Sequence, residues 1–294
     1  MNRVYVEYPH LQAFSEAVAH EVEVGQRLIN YIATAELSVA SIKDEPLPGV
    51  TDKAKKWAQE TVPEELIINH GSFIGKGMEH VLSELAQKPD GNRALYSLIN
   101  QENIVGKGDV PIPSFMVFQC VVVEKILYCT AYFRALEVAN FLRINLEEIR
   151  LNICRILDTV NVTKVRLSIF TFSAYNNPEQ IPLEKCELDR LDSLDLADRY
   201  DDNYALVADL LDEKARETTA VLDDGLIAIK SWLAPQRAKK WPKGLNVEAV
   251  HIAVANALQV GARLREARKK FSYEKAIAAE YVASIKKIAG EFRK

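Results

Sequence analysis

The stretch Ser114–Leu142 (SFMVFQCVVVEKILYCTAYFRALEVANFL) constrains the fold more than any other part of this 294-residue chain. It is long and apolar, interrupted by Glu124, Lys125, Arg134 and Glu137. A membrane-spanning helix wants about 20 nearly uncharged residues, so no transmembrane segment is expected here. Read as a helix, the stretch becomes the mostly buried centre of a soluble core.

Apolar residues recur every three or four positions along most of the chain. Leu11, Phe14, Val18, Val22, Gly25, Ile29 and Ile32 form one stripe, which predicts a first helix from about Pro9 to Ile42. The prolines of Asp44–Gly49 (DEPLPG) then end it. Further helices are expected over 52–61, 63–70, 74–88 and 92–104. Asn145 with Glu148 imitates a capping box and starts another, to about Val160. Later helices are expected over Asn203–Leu233, from Asn246 to Lys270, and from Ser272 to Phe292. The expected fold class is therefore all-α, a bundle of about eight to eleven helices around 114–142. Val162–Phe172 stands apart, being rich in β-branched and aromatic residues and partly alternating. It is read as at most a minor β element, with a helix as the alternative because no partner strand is evident. Asn176–Pro182 (NNPEQIP) marks a hinge between an N-terminal bundle (1–176) and a C-terminal long-helix region (183–294), unless the two are one continuous domain.

Charge is sorted along the sequence. Residues 1–177 have a net charge of −4, residues 178–228 of −10 and residues 229–294 of +10, so the overall −4 hides an acidic block followed by a basic one. The acidic candidates for contact are Asp189, Asp192, Asp195, Asp198, Asp201 and Asp202. The basic candidates are Arg237, Lys239 and Lys240 beside Trp241, then Arg263, Arg265, Arg268, Lys269 and Lys270. Opposed blocks on long amphipathic helices point to a non-enzymatic interaction protein that self-associates, the acidic surface of one copy meeting the basic surface of the next. The alternative partner is nucleic acid, coated by the basic third with Trp241, Phe271 and Tyr273 stacking on bases. The two blocks could also pack against each other within one chain. Two further alternatives are an enzyme whose site assembles from distant residues and a toxin that inserts amphipathic hairpins into membranes.

No motif for chemistry stands out. Di-iron bundles need two Glu-x-x-His pairs, and the chain offers one, Glu248/His251. Glu16/His20 and His80/Glu84 are ordinary i,i+4 helical pairs. Asp201-Asp202 and Asp223-Asp224 lack the third acid that a diphosphate-binding metal site needs, Ala205 and Ile227 standing in its place. Gly71-x-x-x-Gly75-Lys76-Gly77 and Gly106-Lys107-Gly108 read as turns, since neither has the spacing of a phosphate loop. No metal or cofactor is therefore expected. Cys120, Cys129, Cys154 and Cys186 form no C-x-x-C pair, and the opening MNRVYVEYPH lacks a secretory apolar core. A reducing, cytoplasmic setting is the expectation.

Overall fold

The computed structural model describes residues 5–105, 111–178, 183–200, 203–216, 220–234, 244–269 and 275–294. It divides into two units, Met1–Pro63 with Ile68–Ile104 and Ile112–Pro182, and Glu64–Ile67 with Val105–Pro111 and Leu183–Lys294. In the first unit the elements begin β1 (Val6–Glu7), α1 (Leu11–Glu21), β2 (Arg27–Ser38), α2 (Val39–Asp44), α3 (Thr51–Trp57), α4 (Gly71–Ile74) and α5 (Gly77–Gln87). They continue β3 (Leu95–Ser97), α6 (Gln101–Ile104), β4 (Phe115–Val123), β5 (Ile126–Phe133), β6 (Leu136–Glu137), α7 (Leu142–Leu157) and β7 (Lys164–Tyr175). The strands form one seven-stranded mixed sheet in the order β1-β2-β7-β5-β4-β3, with β6 also beside β7.

This sheet overturns the all-α expectation. The segment 114–142 is not a central helix but the hairpin β4–β5 followed by β6. Glu124 and Lys125, the charges that interrupt the apolar run, form its turn with left-handed φ of 50° and 60°. A two-residue turn with positive φ at both positions matches the twist of antiparallel strands. The first expected helix, 9–42, stops at Glu21. Gly25 takes φ of 79°, and β2 follows with Tyr31, Ala33, Ala35 and Leu37 buried at alternate positions. The stripe spaced at three and four thus crossed from a real helix into a strand. The 92–104 helix is replaced by β3 and the single turn α6, and 63–70 holds no helix. Of the segment 162–172, residues 164–172 lie within β7, and it is no minor element: β7 is a 12-residue strand paired antiparallel to β2 and parallel to β5.

Parallel strands need a crossover, and α7 supplies it between β5–β6 and β7. Alternation along each strand then defines two faces. Phe118, Cys120, Leu127, Cys129, Ala131, Phe133, Val165, Leu167 and Ile169 point to one face and are buried. That side carries the helical layer, where Asn152 of α7 donates to the hydroxyl of Tyr96 (3.0 Å). Most residues on the other face are half-buried or exposed, with Glu36, Ser168 and Ala174 the buried exceptions among those described on β2 and β7.

Polar side chains tie the helical layer together. Glu147 accepts from Arg150 at 2.7 and 2.8 Å, from the Leu47 amide at 3.0 Å and from the Thr51 hydroxyl at 3.0 Å, which holds the Glu45–Val50 loop against α7. The Asn69 amide donates to the carbonyls of Gln59 and Thr61 (2.6 and 3.1 Å), beyond the end of α3. Gly71 sits so close to the Ala58 and Gln59 carbonyls that a Cβ there would collide with both. The expected ordinary turn is a close approach of two backbones.

The second unit is helical: a 3₁₀ turn at Glu187–Arg190, then α8 (Ser193–Tyr200), α9 (Ala205–Lys214), α10 (Asp224–Trp232), α11 (Val247–Lys269) and α12 (Lys275–Phe292). The helix expected over 203–233 is divided into α9 and α10. Leu188, Leu211, Leu226, Ile229, Val254, Ile285 and Ile288 build the core, and the Trp232 and Phe292 rings stack at 6.1 Å. Asn246 caps α11 by accepting from the Ala249 amide (3.1 Å).

Candidate interaction face

Register on the sheet brings together four apolar residues that lie far apart in sequence. Ile32 is opposite Phe170, Phe170 opposite Tyr132, and Tyr132 opposite Val117, a row crossing β2, β7, β5 and β4. All four point away from the buried face. Phe172, two residues along β7, extends the row and is 56% exposed; Ile32 is 39% exposed. The Tyr132 and Phe170 rings meet at 6.0 Å with a 49° tilt. The next row is polar (Thr34, Ser168, Thr130, Gln119), so an apolar ridge is bordered by groups that hydrogen-bond. That pattern, an apolar centre with a polar rim, is the anatomy of a protein contact surface.

The third row is charged and satisfied. The Glu36 carboxylate accepts from Lys164, and from Arg166 Nε at 2.7 Å. These two hydrogen bonds hold the Glu36 carboxyl below its usual range, Lys164 contributing most. Arg166 also donates to the Tyr128 hydroxyl (2.7 Å) and lies over the Tyr5 and Tyr128 rings at 5.1 and 5.4 Å. Both cations on this part of the face are therefore committed to a carboxylate of the same sheet.

The residues singled out for charge lie in the second unit. Asp189 is buried: Oδ2 accepts from Lys214 Nζ at 2.6 Å and from the Cys186 thiol at 3.1 Å, and Oδ1 from the Gly225 amide at 2.9 Å. Asp192 accepts from the amides of Leu194 and Asp195 at the start of α8. Asp195 accepts from the Asp192 amide and lies 3.6 Å from Arg199, while Asp198 is exposed. Arg263 pairs with Glu280 at 2.8 Å. Arg265 grips Asp223 through two bonds of 2.7 and 2.6 Å, which raises its pKa. Arg268 is half-buried on α11, and Lys269 ends that helix. Arg237, Lys239, Lys240, Trp241, Lys270, Asp201, Asp202 and the Lys269 side chain lie outside the described residues. Basic and acidic blocks meet within this unit: Arg265 holds Asp223, and Arg293 holds Asp209 (3.1 Å) and Asp212 (2.5 Å).

Sequence reasoning missed two other features. His70 Nδ1 lies 2.6 Å from Glu148 Oε2, with the Trp57 ring 4.8 Å and the Phe115 ring 5.6 Å from the imidazole. Glu148 Oε1 is buried and makes no hydrogen bond. His70 is 5% exposed and Glu148 is fully buried, so the dyad has no open path to a substrate. The aromatic ridge was missed as well; its signal was the alternation of Tyr128, Thr130 and Tyr132 with buried neighbours. Among the described residues no three His, Cys, Asp or Glu side chains gather as a metal would require. His80 and His251 instead bond to the carbonyls of Arg93 (3.0 Å) and Leu233 (2.9 Å). No described helix is long and apolar enough to cross a membrane. Comparison with known protein families and with curated proteins gives no match.

Proposed function

We propose that this chain is a non-enzymatic interaction protein that self-associates through the ridge Ile32–Phe170–Tyr132–Val117 with Phe172 at its head. The supporting observation is the 56% exposure of Phe172 beside the apolar row Ile32–Phe170–Tyr132–Val117. Exposed patches of this kind mark contact sites, and aromatic residues carry most of the energy there. A face five strands wide and about eight residues long measures roughly 24 by 26 Å, or about 600 Å². Stable interfaces bury about 1,200–2,000 Å² in total, so two such faces, about 1,200 Å² together, reach the lower end of that range. The ridge is uncharged, so two copies can meet on it without like-charge repulsion in an isologous contact. Nucleic acid is the weaker reading for this face, because Lys164 and Arg166 are held by Glu36 rather than left for phosphates.

The charge blocks contribute less to affinity than the sequence suggests, since Arg265 and Arg293 are engaged by Asp223, Asp209 and Asp212. Exposed members such as Asp198 remain to steer approach. Cys120, Cys129, Cys154 and Cys186 are thiols rather than disulfides, which supports the cytoplasm as the place of action.

Light scattering over a salt series tests this reading. Association should persist or strengthen from about 20 to about 500 mM NaCl, because an apolar contact is not screened. A strict monomer at both salts and at high protein concentration would overturn it. Association that fades with salt would move the contact to the charged blocks.

A further inference from the structure

A separate feature lies at the start of β2 and the end of β7, on the opposite face from the ridge. β5 stops at Phe133 and β6 resumes at Leu136, so the line of pairing along β7 is interrupted at Arg134-Ala135. Beside that gap is a cavity of about 620 Å³, within the size range of small-molecule sites. Its walls are fixed by one backbone bond, Gly25 N to Asn176 O (3.0 Å), and two side-chain bonds, Asn177 N to Glu137 Oε1 (3.1 Å) and Asn176 Nδ2 to Val22 O (2.8 Å).

The chemistry of the lining is one-sided. Arg27 donates Nε to the Ser173 hydroxyl (2.7 Å), which fixes the guanidinium and leaves both terminal amino groups unspent among the described residues. The proton of the Ser173 hydroxyl and the Tyr175 hydroxyl likewise find no acceptor there. Among the described residues no carboxylate lines the cavity. Arg134, next to lining residue Ala135, donates to the carbonyls of Pro113 and Ile112, and it interacts electrostatically with Tyr175. The Arg27 guanidinium, with no carboxylate partner among the described residues, and two hydroxyl donors make a site short of negative charge. Donors from three residues suit a tetrahedral oxyanion better than a planar carboxylate. Val24, Ala135 and Pro178 supply an apolar wall for the rest of the ligand.

We propose that this cavity binds a small phosphate monoester, its phosphate on Arg27, Ser173 and Tyr175 and its organic body against Val24, Ala135 and Pro178. The site is independent of the ridge. Calorimetric titration of the full chain with adenosine monophosphate and with inorganic phosphate tests it. Saturable binding of the monoester, several-fold tighter than phosphate and competed by it, is expected. Arg27→Ala should weaken the monoester at least 10-fold, Arg27→Lys less, and Ser173→Ala a few-fold. Arg27 is exposed, so circular dichroism of its two variants should match the parent. Absence of heat with both probes up to about 10 mM, or equal affinity in Arg27→Ala, would overturn the proposal. Binding of phosphate with no gain from the organic body would reduce it to an anion site and overturn the monoester assignment.

Discussion

Replacing Lys214 by Met should cost the helical unit a large share of its stability. The Lys214 side chain and its partner carboxylate on Asp189 are both fully buried, 2.6 Å apart. Met keeps the aliphatic stem in place, so the change chiefly strands a carboxylate away from water. Removing one partner of a buried pair costs about 3–5 kcal/mol. At about 2–4 °C per kcal/mol, the melting temperature should fall by roughly 6–20 °C. The companion double variant Lys214→Met with Asp189→Asn removes both charges and keeps an oxygen for the Gly225 amide. It should recover to within about 1–2 kcal/mol of the parent, because the penalty lies in the unpaired charge rather than in a missing attraction. Urea unfolding followed by far-ultraviolet circular dichroism measures all three proteins. A Lys214→Met protein within about 0.5 kcal/mol of the parent would refute the buried pair. A double variant no better than the single one would refute the stranded-charge explanation.

Two further outcomes concern the sheet unit. Because Lys164 and Arg166 hold Glu36 below its ordinary value of 4.5, the stabilisation they give is complete above about pH 4.5 and drains away as pH falls through the lowered value. Glu36→Gln should therefore flatten the acid limb of a stability–pH curve, and an unchanged limb would contradict the assignment. Gly71→Ala should destabilise by about 1–3 kcal/mol or more, since the added methyl meets the Ala58 and Gln59 carbonyls. Unaltered urea unfolding would mean that the two backbones are farther apart.

The parts of this fold legible in sequence are those set locally. The alternation of KVRLSIFTF marks β7, Asn246 marks the start of α11, and Leu11, Phe14 and Val18 mark α1. The hairpin β4–β5 was hidden for two physical reasons. Its strands are apolar on both faces, burying Phe118 and Cys120 on one side while Val117 and Val121 line the other, so no clear period of two emerges. Its turn uses Glu124 and Lys125 in left-handed backbone where Asn-Gly would have announced it. The pairing of β5 with β7 joins residues about 38 positions apart, and no local pattern reports it. The site was hidden likewise. Phe170 and Tyr132 become neighbours only through that pairing, and Asp223 reveals itself as the partner of Arg265 only once their helices are packed. A list of charges along a sequence shows their sum, not which of them are spent inside.

The dimer dissociation constant of Phe172→Ser against the parent tests self-association through the ridge most directly. An aromatic side chain presents roughly 200 Å², so at 56% exposure Phe172 has about 110 Å² left to bury, or about 3 kcal/mol per copy. Two copies meet in an isologous contact, and even partial burial makes the expected weakening at least about 100-fold by sedimentation equilibrium. The circular dichroism spectrum should not change, because the side chain already faces solvent in the single copy. Equal dissociation constants for the two proteins would contradict the assignment of the ridge as the contact.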